Sequence, residues 1–381
     1  MRAVVCADAH LDSFFPMFNK NDERALLRQE EQRIAFLKAI DEVKRIDAHI
    51  LIIPGDLFCA DRVSHKTIFF LKKTFASIKN TYVLITPGNN DPAVSGSPYL
   101  AQDWSENVYI FKNGLEALEF NFDDTNESVR IYGVGFQNHT SKKTLLEKTP
   151  LLDQEYLNLF ISHGQICDKN EHSNYNPLYK EDLNACGFDL CLLGHVHSNT
   201  GIVRLDNTKY LYTGPCEGRS FNETGRCGIY SGSISKDFIS LDFVSTSVRE
   251  NIAVNIDISN MNDEEDVIKE IKQKCSNKDN LYKVTLTGSP SIEKNFSMSK
   301  ISEAFASDYF YIKIIPAYKK NVDINLLKKE NSLRGCFVCC MEKTANESDN
   351  NNKEVYYDAL IYGLCALEKE VFSDENSWNS Y

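Results

Sequence analysis

The chain has 381 residues, of which 42% are hydrophobic and 25% are charged, and its formal net charge is -12 at pH 7. This composition predicts a soluble globular protein with ample material for a core. The acidic balance argues against broad electrostatic binding of nucleic acid, although it allows a local basic groove, and it fits a protein that holds divalent cations. No apolar run is long enough to span a bilayer, and polar residues interrupt the N-terminal "MRAVVCADAH" too early for a signal peptide.

The cysteines predict a reducing compartment. Twelve of them are scattered through a large chain without a secretory signal, which favours free thiols and a cytoplasmic protein over a disulfide framework. The cluster "CFVCC" (Cys336, Cys339, Cys340) has the spacing of half a metal site. No second pair or nearby histidine follows it, so a structural or incidental interpretation is favoured.

The N-terminal part predicts strands and helices in alternation. Short apolar runs predict strands in "RAVVCAD", "AHILIIPGDLF" and "TYVLITPGNND". Between them, apolar residues at helical intervals predict helices in "RALLRQEEQRIAFLKAIDEVKRI" and "HKTIFFLKKTFASIKN". The apolar positions of the first helix are Leu27, Ile34, Leu37, Ile40 and Val43. This alternation is typical of a parallel sheet with helices packed on it.

The following segments are richer in strands and predict a second sheet stacked on the first. They are "SVRIYGVGF", "LNLFISHG", "FDLCLLGHVHS", "KYLYTGP" and "CGIYSGSI" with "FISLDFV". We therefore expect an α/β fold with two stacked mixed β-sheets flanked by helices. A change of pattern near Arg249 predicts a small α+β unit. The predicted domains are residues 1–248, residues 249–318 for the α+β unit and residues 319–381 for a C-terminal helical tail with a polar linker.

The tail contains the polar stretch "TANESDNNNKE", predicted as a loop or linker, and the amphipathic helix "EVYYDALIYGLCALEKEVF". Its predicted apolar stripe consists of Val355, Ala359, Tyr362 or Leu364, Leu367 and Val371. Such a stripe must be buried somewhere. Either the helix packs on its own domain or it contacts a partner.

Five short segments place polar ligand-type residues directly after apolar runs. In chain order "ADAH", "PGDLF", "PGNND", "ISHG" and "LGHVH" supply Asp8, His10, Asp56, Asn89, Asn90, Asp91, His163, His195 and His197. Residues beyond strand ends gather along one edge of a sheet, where open α/β sheets bind ligands. Each motif alone is weak evidence, but the ordered set contains four of the eight histidines.

Two carboxylates, one amide and four imidazoles at one edge would stay unsatisfied without cations. Mixed oxygen and imidazole ligands suit manganese, iron or zinc rather than calcium or a thiolate zinc site. Seven ligands exceed the needs of one tetrahedral ion. They suit two ions, about 3.5–4 Å apart, that share a bridging aspartate.

The ordered motifs D-x-H, G-D, G-N-H-D, H-G and G-H-x-H resemble those of the calcineurin-like metallophosphoesterases. Within that family, "DAHLDSFF" and "GRSFNETGRCGIY" resemble the DNA repair exonucleases of the SbcD and YhaO type. The resemblance covers residues 1 to about 248. It extends more weakly through the α+β unit, which is similar to the capping domain of those nucleases, and the C-terminal helix.

The resemblance implies two metal positions, with Mn²⁺ expected before iron or zinc. The implied ligands of the first metal are Asp8, His10, Asp56 and His197, and those of the second are Asp56, Asn89, His163 and His195. The implied reaction is in-line attack on phosphorus by a metal-bound hydroxide. We therefore expect a DNA repair exonuclease or endonuclease. The alternatives are a small-nucleotide phosphodiesterase or phosphatase, and a catalytically weakened DNA-end-binding subunit.

The chain departs from the family at "GNND", where Asn90 stands in place of the histidine of G-N-H-D. In the family that histidine stabilises the transition state and helps to protonate the leaving oxygen, and the acid at the Asp91 position orients it. An amide cannot act as a general acid, a function worth ~10²–10⁴-fold in rate. Metals should still bind while turnover on poor leaving groups falls.

Three explanations for Asn90 stay open. The substitution is engineered, or it is natural in a weak enzyme or DNA-end binder, or another histidine supplies the proton. His172, in "CDKNEHSNYNP", is the candidate to test against the interpretation of a solvated loop residue. His139, in "FQNHTSKK", has the same two interpretations.

The remaining expectations concern substrate contacts and partners. Arg219 lies in the family-like "GRSFNETG" turn, where it either reaches phosphate or forms a surface salt bridge. Nucleases of the SbcD type bind the coiled-coil base of an ABC-type ATPase through C-terminal helices. The expected partners are therefore DNA as substrate, an ABC-type coiled-coil ATPase on the C-terminal helix, and a second copy of the chain, with no membrane.

Overall fold

The structure is a computed structural model that describes residues 1–19, 22–146, 150–292, 294–346 and 353–367. Its strands are β1 (Arg2–Val5), β2 (Ile50–Ile53), β3 (Tyr82–Ile85), β4 (Val108–Ile110), β5 (Glu116–Phe122), β6 (Glu127–Val134), β7 (Leu157–His163), β8 (Gln165–Cys167), β9 (Pro177–Tyr179), β10 (Leu190–Gly194), β11 (Gly201–Arg204), β12 (Lys209–Tyr212), β13 (Gly228–Ile234), β14 (Ile239–Ser245), β15 (Asn251–Asp257), β16 (Leu281–Thr287) and β17 (Tyr311–Pro316). Its helices are α1 (Glu23–Arg45), α2 (His65–Ala76), α3 (Pro98–Ala101), α4 (Lys180–Cys186), α5 (Glu264–Lys274), α6 (Met298–Glu303), α7 (Ile324–Leu327), α8 (Leu333–Asn346) and α9 (Lys353–Leu367).

The chain divides into two compact units, Met1–Ile252 and Ala253–Tyr381. The boundary between the two units lies close to the first predicted boundary, after residue 248. The second predicted boundary, after residue 318, falls inside the second unit, so separate folding of the α+β part and the tail stays a prediction.

The first unit contains two six-stranded mixed sheets, as predicted. One has the strand order β14-β13-β1-β2-β3-β4 and the other β11-β12-β10-β7-β6-β5. In the first sheet, β1 to β4 are parallel, and β13 is antiparallel to β1 and β14. In the second, β12, β10, β7 and β6 are parallel to one another. Mixed sheets flanked by helices confirm the predicted α/β class.

The central strand β2, "ILII", shows why these strands are continuously apolar. Ile50 and Ile52 face the second sheet, in a cluster with residues such as Ile131 and Leu159. Their neighbours Leu51 and Ile53 face α1 and α2, in a cluster with Phe36 and Phe75. Since side chains alternate along a strand, a strand buried on both faces needs apolar residues at every position.

Helix α1 packs through a different face from the one that its largest apolar residues suggested. Ile40 and Val43 are buried, but Leu27, Ile34 and Leu37 are 44%, 39% and 39% exposed. The buried face also includes the polar residues Arg28, Glu31, Gln32 and Glu42. Its first half therefore meets the rest of the unit through hydrogen bonds and ion pairs.

Arg28 is the centre of a buried ion-pair network and is 0% exposed. Its guanidinium donates to Glu31 Oε2 at 2.5 Å, to Glu217 Oε1 at 2.6 Å and to the Gly218 carbonyl at 2.7 Å. Arg249 Nε donates to the other oxygen of Glu31 at 2.8 Å. Two arginines thus balance two glutamates, and α1 is tied to the segment that begins at Glu217.

We expect Arg28→Met to lower the free energy of unfolding by about 3–5 kcal/mol, because it leaves Glu31 and Glu217 with less compensating charge in the interior. Urea denaturation measures the loss. Adding Glu217→Gln should restore part of it by removing one uncompensated charge. Arg45→Met, on the same helix at a side chain 68% exposed, is the matched control. A loss below about 1 kcal/mol in Arg28→Met would show that the network contributes little.

The second unit combines a three-stranded sheet, in the order β15-β16-β17, with helices α5 to α9. Strand β16 is parallel to β17. The Asp263 side chain caps α5 by accepting a hydrogen bond from the Asp266 amide. Helices α7, α8 and α9 share an apolar cluster that includes Leu327, Val338 and Leu360.

The predicted C-terminal helix is present as α9, and Leu364, one of the alternatives for its predicted stripe, is buried. Leu360 and Leu364 enter the cluster with Val338, at 5%, 0% and 0% exposure. Val355 and Tyr362 of the predicted stripe are 64% and 50% exposed. Val371 and most of the predicted linker lie outside the described residues. No described helix is long and apolar enough to cross a membrane.

Candidate metal centre

The seven predicted ligands stand at the carboxyl ends of parallel strands from both sheets of the first unit. In chain order they are Asp8 and His10 after β1, Asp56 after β2, Asn89 after β3, His163 as the last residue of β7, and His195 and His197 after β10. Stacking the sheets brings the two sets of strand ends together. The predicted convergence at one edge is thus present in the structure.

One group of ligand atoms combines Asp8, His10, Asp56 and His197. His10 Nε2 is 3.2 Å from His197 Nε2 and 3.5 Å from Asp56 Oδ2. Asp8 Oδ1 is 3.7 Å from His197 Nε2 and 4.0 Å from His10 Nε2. Ligands held about 2.0–2.2 Å from one ion lie about 3.0–3.6 Å apart. A small adjustment of the side chains would let the four atoms share one cation.

A second group combines Asp56 with Asn89, His163 and His195. Asn89 Oδ1 is 3.0 Å from His163 Nε2 and 3.2 Å from His195 Nδ1. Asp56 Oδ2 is 3.5 Å from His163 Nε2. The same oxygen is 3.5 Å from His10 Nε2 in the first group. One carboxylate oxygen therefore borders both groups, as a bridging ligand must.

Asp8 lies near both groups, and a hydrogen bond made by His163 indicates which group Asp8 belongs to. Its Oδ1 is 4.0 Å from His163 Nδ1, so Asp8, Asp56 and His163 also form a compact trio. However, His163 Nδ1 is 3.0 Å from the Pro54 carbonyl and donates to it, which leaves the lone pair on Nε2. That lone pair faces Asp56, so we place Asp8 with the first group.

Burial acts on the ionisation of the cluster. It raises the pKa of Asp8 and of Asp56 above the ordinary aspartate value. It lowers the pKa of His10 well below its ordinary value and that of His195 to about 3. His10, His163 and His195 are therefore held neutral, as metal ligands must be, and the buried carboxylates need a cation to stay ionised. This chemistry fits two divalent ions.

Several ligands have backbone conformations that non-glycine residues rarely adopt. The φ angles of Asp8, His10, Asp56 and His195 are 51°, 45°, 52° and 98°. Such strain is concentrated at functional sites. Close approach adds a further constraint, since a Cβ at Gly88 would lie 2.2 Å from Asp56 Oδ1. Only glycine at this position lets the "PGNND" loop reach the Asp56 carboxylate.

Asn90 and Asp91 occupy different environments. Asn90 is exposed, and its Nδ2 and backbone N–H donate to the two oxygens of Asp56 at 2.6 and 2.8 Å. Asp91 is fully buried and accepts hydrogen bonds from the backbone of Asp56, Leu57 and Gly88 and from the Tyr99 hydroxyl. It therefore braces the two loops that carry the bridging ligand. The catalytic roles of both residues stay predictions.

The two spare histidines of the sequence differ in position. His139 Nδ1 is 3.0 Å from the Asn89 carbonyl, directly beside the second group. His172 is exposed and, in the part of the chain that the structure describes, no hydrogen bond joins it to the cluster. His139, rather than His172, is therefore the spare histidine that lies next to the second ligand group, and loop sequence alone does not show which loop folds over the site.

Glu223, which the sequence motifs did not single out, lies in the same turn as Arg219. Glu223 Oε1 is 2.7 Å from His197 Nδ1 and 3.0 Å from Arg219 Nη2. Burial alone would lower the pKa of His197, but the Glu223 hydrogen bond and the Asp8 charge raise it. The spacing of an arginine and a glutamate four residues apart was the available signal. A metal-ligating histidine normally donates its other N–H to such a carboxylate.

The cysteines do not join the centre. Within the described residues, the groups of side chains able to hold a metal include none of Cys336, Cys339 and Cys340, which are exposed on α8. The eleven cysteines whose side chains are described are free thiols. The structural or incidental interpretation of "CFVCC" is consistent with this arrangement.

Comparison with known proteins agrees with the geometry. The sequence profile of the calcineurin-like phosphoesterases matches residues 1–199. The chain is similar to the uncharacterized metallophosphoesterase YhaO of Bacillus subtilis strain 168, with 27% identity over 245 residues, or 63% of this chain and 59% of that protein. The match thus spans about three fifths of the relative's length.

Two solved structures are also similar. The protein TT1561 of Thermus thermophilus has a TM-score of 0.41 and 10% identity over 64% of this chain and 98% of that chain. A dimetal phosphatase from Danio rerio has a TM-score of 0.42 and 10% identity over 65% of this chain and 96% of that chain. Since the family profile covers more than half of the 381 residues, the chain belongs to the calcineurin-like phosphoesterase family.

Proposed function

We propose that the protein is a dimetal phosphodiesterase that cleaves DNA, with Mn²⁺ as its metal. The observation that carries the proposal is the position of Asp56 Oδ2, which is 3.5 Å from a histidine nitrogen of each ligand group. Two adjacent ions sharing a carboxylate are the usual centre for in-line displacement at phosphorus. The free thiols suit a reducing compartment, and we place the protein in the cytoplasm.

The residues of the chain would divide the work as follows. Bound ions would lower the pKa of a water molecule and neutralise charge on the phosphate oxygens. Asp56 would hold both positions, and Pro54 and Glu223 would orient His163 and His197 through their other nitrogens. Asn90 can donate a hydrogen bond to a phosphate oxygen but cannot protonate the leaving group.

DNA is proposed as the substrate from the sequence of the first unit and the presence of a second. The segments "DAHLDSFF" and "GRSFNETGRCGIY" resemble those of DNA repair exonucleases. The segment "GRSFNETGRCGIY" contains Arg219 and Glu223, which contact His197, one of the proposed metal ligands. The α+β part of the second unit is similar to a capping domain, which a polymer substrate needs more than a small ester does.

A small nucleotide is the alternative substrate, and a cavity favours it. The cavity has a volume of about 470 Å³ and is lined by Gly135, Phe136 and Asn138, among others. The Phe136 amide donates to the Pro87 carbonyl, so one lining residue contacts the "TPGNNDP" loop that carries Asn89. Its volume is within the range of small-molecule sites.

A substrate panel separates the possibilities. Linear duplex DNA, single-stranded DNA and bis-p-nitrophenyl phosphate are incubated with the Mn²⁺-loaded protein, and Asp56→Asn is the control for contaminating nucleases. Preferential loss of DNA supports the proposal. Hydrolysis of the small ester alone supports the alternative. Binding of DNA ends without hydrolysis of any substrate identifies a catalytically weakened DNA-end-binding subunit.

We also propose an ABC-type coiled-coil ATPase as a partner of α9. Burial of Leu360 and Leu364 attaches the helix to its own unit, yet Val355, Tyr362 and Leu367 are 64%, 50% and 38% exposed. Val355, Ala359 and Tyr362 are exposed at positions i, i+4 and i+7, which matches the spacing of helix-in-groove docking. The helix could therefore belong to its own domain through one face and to a partner through the other.

We expect Val355→Glu with Tyr362→Glu to abolish co-purification with a co-expressed coiled-coil ATPase, because charges on the exposed face oppose apolar docking. Metal content should stay unchanged, because the proposed metal ligands lie in the first unit and both substituted residues lie in the second. Thermal unfolding checks that the double variant stays folded. The control is Lys300→Glu, at a side chain 72% exposed on α6 of the same unit. Undiminished co-purification of the double variant rules out this face as the docking site. Deleting the whole helix would be less informative, because it would uncover Val338.

A second copy of the chain is the remaining partner proposed. The outer face of α1 exposes Leu27, Ile34 and Leu37, which do not enter the core of the first unit. Exposed apolar residues grouped on one helix face are typical of protein contacts. Light scattering in solution measures whether this face forms a dimer.

A further inference from the structure

Arg219 places a positive charge beside the first ligand group. Its Nη2 is 3.1 Å from His197 Nδ1, and its side chain is 18% exposed. A cation beside a centre that already holds divalent ions is unfavourable unless an anion is also bound there.

Glu223 does not fully occupy the Arg219 guanidinium. Its Oε1 accepts both from Arg219 Nη2 at 3.0 Å and from His197 Nδ1 at 2.7 Å. Its Oε2 accepts from the Arg219 backbone N–H at 2.6 Å. The pair is thus held through one guanidinium nitrogen rather than through the two-pronged contact typical of arginine and carboxylate. Arg219 Nε is buried without a hydrogen-bond partner among the described residues.

Hydrogen bonds fix the backbone of the turn that carries Arg219. Arg219 follows Glu217 and Gly218, and both of these accept hydrogen bonds from the buried Arg28. On the other side, the Asn251 side chain donates to the carbonyls of Ser220 and Glu223. The turn is therefore anchored at both ends, which pre-organises the guanidinium.

We propose that Arg219 binds a phosphoryl oxygen of the substrate at the first metal position, and that Glu223 is the positioning residue for both Arg219 and His197. The proposal rests on the proposed phosphodiesterase function and deepens it. In this chain the contact has added weight, because Asn90 brings no positive charge to the phosphate. Arginine suits the task, since its planar fork matches the oxygens of a phosphoryl group.

The test uses inorganic phosphate as the probe and the full-length Mn²⁺-loaded protein. Isothermal titration calorimetry measures the phosphate Kd of wild type, Arg219→Gln and Arg219→Lys, and elemental analysis measures bound manganese. We expect Arg219→Gln to weaken phosphate binding about 10- to 100-fold, the range for a lost hydrogen bond between charged groups. Two manganese ions should remain bound. Arg219→Lys keeps the positive charge without the planar fork, so its phosphate Kd should lie between those of wild type and Arg219→Gln.

Two variants provide controls. Arg226→Gln removes an arginine seven positions along the chain, whose side chain is 73% exposed. It should leave the phosphate Kd and the manganese content unchanged. Glu223→Gln should weaken manganese binding about 10- to 100-fold, as loss of an outer partner of a metal ligand does, and should weaken phosphate binding as well. A merely structural Arg219 would not show a change confined to phosphate.

The outcomes separate this proposal from the one on which it rests. If Arg219→Gln retains manganese and its phosphate Kd stays within twofold of wild type, the assignment of Arg219 is wrong while the metal centre stands. If the wild-type chain binds no manganese, both proposals are wrong. Should Arg219→Gln fail to fold, Arg219→Lys decides, and an unchanged phosphate Kd in that variant rejects the role of the fork.

Discussion

Asp56→Asn is expected to remove both metal ions and all metal-dependent hydrolysis. Its Oδ2 is 3.5 Å from His10 Nε2 and from His163 Nε2, so neither group keeps its carboxylate bridge after the change. An amide carries no charge with which to hold two adjacent divalent ions. Elemental analysis of the purified variant measures the metals directly. Asp56→Ala should give the same loss, with an added backbone cost, because alanine tolerates the φ of 52° less well than asparagine does.

Asp47→Asn is the matched control for this variant. Asp47 is also an aspartate with positive φ, at 50°, but its side chain is 92% exposed and lies at the end of α1. It should keep both ions. Full metal occupancy in Asp56→Asn would contradict the bridging assignment, whereas occupancy of one position alone would show that the two groups bind independently.

Asn90→His is expected to raise the hydrolysis of DNA by up to ~10²–10⁴-fold, the contribution of a positioned general acid. The side chain is exposed, so an imidazole can be accommodated there. Metal content should change little, because the ligands of both groups stay in place. Esters with nitrophenyl leaving groups should gain less, since those groups leave without a proton. Steady-state rates on both kinds of substrate measure the difference.

Asn90→Gln separates the gain of an acid from the loss of a contact. The amide of Asn90 donates to Asp56 Oδ2 at 2.6 Å, and glutamine removes that geometry without adding a titratable group. It should not accelerate hydrolysis. An equal gain on both substrates in Asn90→His would mean that the position does not act as a missing acid.

The same experiment addresses whether another histidine already supplies the proton. His139 Nδ1 is 3.0 Å from the Asn89 carbonyl, next to the substituted position. If His139 fills the role, Asn90→His brings no gain and His139→Gln slows wild-type hydrolysis. If the enzyme is weak because the acid is missing, His139→Gln has no effect and Asn90→His brings the full gain.

The sequence by itself determined the class of fold and the candidate ligands of the centre. Both follow from local signals: apolar runs that must be strands, helical intervals between them, and polar residues at the point where a strand ends. Asp8, Asp56 and His163 were found in this way because residues beyond parallel strand ends must meet at one edge. No knowledge of packing was needed for that inference.

Only the tertiary structure decided which faces are buried and which distant residues support the centre. On α1 and α9 the apolar pattern is broad enough for more than one face, and packing selected Ile40 on the first and Leu360 on the second. Arg28 and Glu217 are 189 positions apart in the chain, and Glu223 and His197 are 26 apart. No periodicity in the sequence predicts either contact. Such polar pairs form because burial leaves an unpaired charge so costly, and the partner is whichever residue the completed fold brings within reach.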